Sequence, residues 1–489
     1  SLASPTGYLG MITQQSFMFV RSYTSLRKRM LEEHTFRAMA HLGSGAFDDI
    51  GGEKVNTTMF TLSKSSFSDS WGVYFKIVDE PQKSTVLSSA TDEDKDSPLR
   101  FITRQNDLKV IDRWPLVYWI TSYVVDLFRN LPPLDTRDDG SIATITNGLF
   151  TCNNSRFVRY HWEVGNSSKW RPYVKGAEQE HWYGDIDNVV NWGLNGKEIR
   201  EYRELRGQSR SCPGEDFYFL PGLAFPHIAG DRFAARYFPK GCIFDIAGSA
   251  AFPHRVGSFF LLGFFNTTLP RHFVSLLNPT INIQVGDVRR FPFRMPGSEV
   301  ENTVGQLSRQ CMEWQRELQS FRLVDREFRQ AGIAQALTER TKKAGLLDSY
   351  RAFLAHRERL QAQILVNEAL IERRILDLYA VPNDLRSRLR PNPPSASHGI
   401  VTGSIADLDE LGDDARTYLG GLQEPNFGVE QLEQVRIDLH RLYGEKGQPI
   451  EKICTRLKLN PVSVIALRRE MDLINPDDLK HEVENFLTH

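Results

Sequence analysis

At 489 residues, 40% apolar and 25% charged, with a formal net charge of −1, the chain is too long for one ordinary core and too apolar to be disordered. Its longest apolar run, FFLLGFF at 259–265, is far below the roughly 20 residues of a membrane span, and its first ten residues lack the basic start and apolar core of a signal peptide. Cysteines at 152, 212, 242, 311 and 454 form no CxxC pair and no zinc-type spacing with histidine, which predicts reduced thiols in a cytoplasmic protein.

Residues 7–80 read as α/β. GYLGMITQQSF predicts a buried strand and a polar loop. SYTSLRKRMLEEH (22–34) predicts a helix with Leu26, Met30 and Leu31 on one face and Arg and Lys opposite. FRAMAHLG and VNTTMFTLSK predict two further strands, being rich in apolar and β-branched residues. SSATDEDKDSP (88–98) reads as a charged loop at a domain boundary.

Across 101–295 aromatics are dense, and Gly, Pro and Asn cut the chain into short strands and loops. A helix is predicted at 257–278, interrupted by Pro270. From 298 the pattern turns helical. Val304, Leu307, Cys311, Trp314 and Leu318 make one apolar stripe. A longer helix spans 346–379 and stops at Val381-Pro382. RLRPNPPSASHG (388–399) reads as a linker, followed by a small helical domain.

Two motifs invite a cofactor or catalytic reading. Gly43-Ser44-Gly45-Ala46-Phe47 looks like a glycine-rich cofactor loop, which needs a strand before it and a helix after it. Here Gly51 and Gly52 and a strand at 55–62 follow, so the segment is predicted to join two strands. Asn392-Pro393-Pro394-Ser395 looks like the Asn-Pro-Pro-aromatic tetrad of amino-methylating DNA enzymes. Its serine cannot stack on a base and it sits in a linker.

Taken in order, GYLGMITQQSF, the Leu-Arg helix, HLGSGAF and VNTTMFTL resemble the second half of a gamma-class adenine-N6 DNA methyltransferase domain. GLFTCNNSRFVRYHWEV, KWRPYVKGAEQEHWYGDIDNVVNWGLNGKEIR and YFLPGLAFPHIAGDRFAARYFPKGCIFDIAG are similar to the target-recognition region of type IIG-like methyltransferases, most of all the PglX type of BREX phage-defence systems. VNEALIERRILDLYAVP (366–382) resembles the helix closing that region.

The resemblance implies the distal half of a Rossmann-like methyltransferase sheet (1–80), then an α+β target-recognition domain (81–297). A long-helix region (298–385) and a linker with a mostly helical C-terminal domain (386–489) follow. It places the cofactor loop and the Asn-Pro-Pro-Tyr tetrad upstream of Gly7. S-adenosylmethionine is then held by a missing N-terminal half, this chain carries no catalytic, cofactor or metal residue, and alone it is inactive. Expected partners are double-stranded DNA, that N-terminal half and other defence-system proteins, with no membrane.

Phe47 falls where the family packs the adenine swung out of the duplex, because the amine is out of reach in a stacked helix. A core Phe is the plain alternative. Arg156, Arg159, Lys169, Arg171, Lys175, Arg232, Arg236 and Lys240, interleaved with Trp, Tyr and Asn, are the DNA-binding candidates. NPTINIQVGD (278–287) suits turns and helix ends rather than base reading. QPIEKICTRLKLNPVSVIALRREM (448–471) has helix-turn-helix spacing, with Pro461 at a second-helix start, and a plain helical hairpin gives the same pattern. The competing function is a non-enzymatic DNA-binding specificity subunit of a multi-chain modification or restriction complex.

Overall fold

The computed structural model describes residues 4, 6–47, 55–64, 69–92, 97–165, 167–176, 181–228, 233–278, 282–339, 345–389, 417, 429–444, 450–457 and 459–488. They form two compact units. The first comprises Ser1–Leu134, Phe273–Ile281 and Gly286–Phe293; the second comprises Asp135–His272, Asn282–Val285 and Arg294–His489.

The first unit contains β1 (Tyr8–Gln14), α1 (Thr24–Glu33), β2 (Thr35–Gly43), β3 (Thr57–Ser63), β4 (Trp71–Lys76), α2 (Lys83–Ala90), β5 (Arg100–Arg104) and α3 (Ser122–Asn130). The strands make one sheet in the order β1-β3-β2-β4-β5. β3 runs antiparallel to both β1 and β2, β4 is parallel to β2, and β5 is antiparallel to β4. The expected boundary after residue 80 therefore falls inside a single sheet.

A register shift between Phe36 and Ala38 skips Arg37. That bulge turns Phe36 and Met39, three residues apart, to one face. There they meet Phe60, Leu62, Met30, Leu31, Tyr74 and Tyr118 in a buried cluster. The opposite face carries a smaller cluster of Ala40, Phe75 and Ala90.

Two expectations are corrected here. β1 is an edge strand rather than a buried one: Tyr8, Leu9, Met11 and Ile12 are all exposed. On α1, Met30 and Leu31 are buried as expected, but Leu26 is exposed and Arg27 is buried. The Arg27 guanidinium donates to the carbonyls of Phe17 and Val20 (2.8 Å each), Arg113 (2.9 Å) and Trp114 (3.0 Å). Acceptors on every side make its burial tolerable. Burial first, then Arg290 and Arg113, lowers its pKa to about 10, which leaves it charged at neutral pH.

The second unit carries two sheets with helices. Its strands are β6 (Ala143–Thr146), β7 (Val158–Tyr160), β8 (Trp170–Val174), β9 (Trp182–Tyr183), β10 (Asn188–Asn191), β11 (Gly222–Ala224), β12 (Arg236–Phe238), β13 (Ile243–Phe244) and β14 (Ala250–Pro253). They are ordered β13-β8-β10-β7 and β6-β14-β11-β12-β9. Short helices α4 (Asn154–Phe157) and α5 (Gly193–Leu205) flank the first sheet.

α6 (Ser258–Phe265) is apolar nearly all round, and its Phe260–Phe265 stretch is buried. Gly263 lets it approach the next long helix: a Cβ there would lie 2.4 Å from Ser308 Oγ. The break expected at Pro270 lies earlier, at Asn266, whose amide pairs with the Ala235 backbone in both directions (2.8 and 2.9 Å). α7 (Thr268–Leu277) starts after it, with Pro270 in its first turn, where the missing N–H costs nothing.

α8 (Val285–Arg289) is one short turn, and α9 (Ser298–Ser320) buries Val304, Leu307 and Cys311 as predicted. α10 (Gly332–Glu339) follows. α11 (Leu346–Leu378), the expected long helix, buries Phe353, Leu354, Leu360, Ile364 and Ile371 and ends before Val381-Pro382. α12 (Asn383–Arg388), α13 (Val429–Gly444), α14 (Ile450–Leu457), α15 (Pro461–Glu470) and α16 (Pro476–Thr488) complete the helical C-terminal region.

Candidate nucleic-acid interface

The glycine-rich stretch leaves the end of β2 and leads into β3, its antiparallel neighbour, with Gly43 opposite Thr57. Gly43 and Gly45 have φ of 67° and 69°, and a Cβ on Gly43 would lie 2.6 Å from Val78 Cγ1. These glycines serve a strand-to-strand turn, as the sequence predicted. Phe47 beyond them is 45% exposed. Residues 48–54 and the Asn392-Pro393-Pro394-Ser395 tetrad lie outside the described residues.

Two residues before Gly43, buried His41 on β2 bonds Gln15 Oε1 at 2.6 Å and lies stacked on Trp119, 6.2 Å between ring centres. Lys76 Nζ sits 4.6 Å from the same indole. Burial, then Lys76 and Lys83, lowers the His41 pKa to about 4, so the ring is neutral at neutral pH. Lys83 Nζ donates to the carbonyls of Ile77 (3.1 Å) and Val78 (2.9 Å), holding the segment after β4 against which Gly43 packs.

At the other side of the sheet, β1 leaves apolar surface uncovered. One hollow of about 530 Å³ is lined by Leu9, Met11, Phe17, Leu26 and Met30. A second, of about 460 Å³, includes Gly10, Ile12, Ala38, Met59 and Leu87. Alternation along a strand sends Leu9 and Met11 to one face and Gly10 and Ile12 to the other. The edge is therefore open on both faces.

In the second unit the basic candidates separate. Arg156 is exposed, with its guanidinium 5.2 Å from the rings of both Phe157 and Tyr202. Lys169 binds Glu198 at 2.9 Å, and that bond with the neighbouring Arg156 charge holds the carboxylate below its usual range. Arg156, Lys169 and Glu198 are thus brought together beside α5. Arg171 is exposed, 5.9 Å from the Phe219 ring. Arg159 lies opposite Val189 and Arg171 opposite Val190, so the two face opposite sides of the sheet and cannot share one groove from one face. Arg159 donates to the carbonyls of Ser155 and Val158, 2.7 Å each. Lys175 is half-buried and Lys240 is exposed in the turn after β12.

Arg236 is a correction. It is 4% exposed, and its guanidinium donates to the carbonyls of Lys175 and Asp185. Its place is in the interior, tying β12 to neighbouring segments rather than meeting phosphates. Arg232 lies outside the described residues.

Asn278 and Asp287, from the segment expected to form turns, bond to each other at 2.9 Å, and Asp287 binds Arg290 at 2.7 Å. In the C-terminal pair, Asn460 caps α15 by accepting from Ser463 N at 2.9 Å, with Pro461 in the first turn. α15 buries Pro461–Ile465, Leu467 and Arg468. Arg468 also meets Glu358 of α11 at 2.7 Å, both side chains being buried. A recognition helix must keep one face free for the groove. α15 keeps too little, and the pair is a packed hairpin.

Sequence reading missed the exposed pair Tyr160 and Trp162, whose rings stack 4.5 Å apart. An R-Y-H-W run gives no sign of which rings stay outside.

No family model matches the chain. It is 33% identical over 306 residues to the adenine-specific methyltransferase BrxX of Escherichia coli O9:H4 (strain HS), covering 60% of this chain and 24% of that protein. It is 27% identical over 406 residues to the adenine-specific methyltransferase PglX of Lacticaseibacillus casei (strain Zhang), covering 78% of this chain and 33% of the relative. The chain thus spans a quarter to a third of these relatives.

Among solved structures, it is similar to the type IIL restriction-modification enzyme MmeI in complex with DNA. The TM-score is 0.45 at 11% identity, over 84% of this chain and 50% of that one. The DrdV–DNA complex gives 0.36 at 9% identity, over 63% and 38%. Scores this low establish no shared fold. No described helix is long and apolar enough to cross a membrane. The resemblance read from the sequence is borne out by the two curated relatives: over 60–78% of its length this chain is similar to part of the adenine-specific methyltransferases BrxX and PglX.

Proposed function

We propose that the chain supplies the distal part of a catalytic sheet and the DNA target-recognition region of an enzyme that moves a methyl group from S-adenosylmethionine to adenine N6. The observation that carries this reading is the β1 edge. An isolated α/β sheet covers its apolar faces, whereas β1 exposes Tyr8, Leu9, Met11 and Ile12 beside two hollows. Further strands and helices, bearing the cofactor loop and the Asn-Pro-Pro-Tyr tetrad, would complete the sheet there. Phe47, exposed after β2, is then a stacking face for the extruded base. The recognition role falls to the second unit, where Arg156, Lys169, Arg171 and Lys240 remain the surface candidates.

No cofactor site is assigned within this chain. The Gly43–Phe47 turn joins antiparallel strands, and no helix N-terminus follows it among the described residues.

The test is reconstitution. The chain is combined with the remaining part of its parent, and N6-methyladenine is measured on duplex DNA, with each part alone as control. Methylation by the combination supports the reading. A combination that binds specific DNA but never methylates would instead support a non-enzymatic specificity subunit.

A further inference from the structure

At the end of β7, Tyr160 and Trp162 stack with planes 4° apart, each about half exposed. His161 between them is anchored: its backbone N–H donates to Asp187 O at 2.8 Å and its ring to Val324 O at 3.0 Å, while its edge meets Trp162 at 4.9 Å. The His161 ring thus ties the aromatic pair to the Val324 backbone, in a segment where Leu323 and Val324 are both exposed. The result is an apolar shelf made by a strand end and the loop after α9, with His161 between the two rings held by one backbone and one ring hydrogen bond.

The rim of the shelf is acidic. Carboxylate oxygens of Asp185, Asp187 and Asp325 lie within 4.8 Å of one another, and Glu163 accepts from Tyr160 N at 2.7 Å. Arg322 pairs with Asp185. Arg159 faces away, toward Ser155 and Val158. Four carboxylates stand against Arg322 and the buried Arg236, which reaches the Asp185 carbonyl, so the rim keeps a net negative charge. Burial first, and then the neighbouring carboxylates, raise both Asp187 and Asp325 above the usual range, as expected where negative charge is crowded.

Aromatic rings beside a phosphodiester binder should be rimmed by Lys and Arg. This shelf has the reverse charge. We propose that it docks a protein segment in which Lys or Arg alternates with aliphatic side chains. The aliphatic groups would cover Trp162, Tyr160, Leu323 and Val324, and the cation would reach the carboxylates or lie over an indole face. Duplex DNA is disfavoured at this end of the sheet, in contrast to the Arg156–Lys169 end.

The test uses the full chain and three labelled probes followed by fluorescence anisotropy at low salt: a short peptide of alternating Leu and Lys, the same peptide with Glu for Lys, and a short DNA duplex. The Leu-Lys peptide should bind, and Trp162→Ala or the pair Asp187→Asn with Asp325→Asn should each weaken it by about tenfold or more. The Glu peptide should not bind, duplex affinity should be unchanged in both variants, and melting points should stay near wild type. Equal affinity of the Leu-Lys peptide for all variants overturns the proposal. So does a tenfold loss of duplex binding in Trp162→Ala, which would give the shelf to DNA.

Discussion

Replacing Phe47 by alanine in the enzyme proposed above separates two roles for one ring. The side chain is 45% exposed. Since fully burying a Phe contributes roughly 1.5–3 kcal/mol, truncating this half-exposed ring should cost only about 1 kcal/mol of stability. A core Phe would cost about 3–5 kcal/mol. As a stacking face for an extruded adenine, the ring is worth about 1–3 kcal/mol, a methylation rate lower by roughly 10–100-fold. Phe47→Tyr and Phe47→Trp keep a π face and should recover most of the rate, with cofactor affinity unchanged. Methylation per folded molecule and melting temperature are measured on the same three variants. A sharp fall in melting temperature with unchanged activity, or failure of both aromatic variants to restore the rate, would refute the stacking role.

Arg236→Ala should destabilise the protein by about 2–4 kcal/mol, because two interior carbonyls lose their donor, while the salt dependence of DNA binding stays unchanged. Arg156→Ala with Arg171→Ala should do the opposite: no change in melting, and a log–log salt slope shallower by about two if both meet phosphates. An unchanged slope would mark them as plain surface charge. Arg468→Met strands the buried Glu358 carboxylate and should cost about 3–5 kcal/mol in urea unfolding, most of it recovered by adding Glu358→Gln, which keeps an acceptor for Tyr443. Burial raises Glu372 from 4.5 to about 7, partly offset by its bonds to Thr268. The folded state therefore binds the extra proton. The stability this contributes is complete below pH 4.5 and is lost as pH rises through 7, and Glu372→Gln should remove that slope from pH-dependent unfolding.

Much of the local structure was legible because it depends on short-range rules. The strands at 35–43 and 57–63, the stripe of α9, the length of α11 and the strand-to-strand nature of the Gly43–Phe47 turn all follow from periodicity and from glycines that cannot open a helix. The resemblance to adenine-specific methyltransferases also rested on sequence, as long blocks in a fixed order, and the curated relatives bear it out.

Periodicity could not say which neighbours wait in space. Arg27 looked like the solvated face of α1, yet carbonyls of Arg113 and Trp114, more than eighty residues along the chain, surround it, while Leu26 is left outside. Arg236 looked like a phosphate contact and is buried for the same reason: acceptors from Lys175 and Asp185 meet its guanidinium. α15 carries the spacing of a recognition helix, but Glu358 of α11 and the surrounding core bury most of it, leaving only Ala466, Arg469 and Glu470 outside the buried set. β1 has the composition of a central strand and lies at an edge, because strand composition records how much apolar surface must be covered and not which segment covers it. The sequence by itself determined the elements and the kinship. Only the tertiary structure decided which charges are interior and which rings are exposed, since burial of a polar head depends on partners distant in sequence.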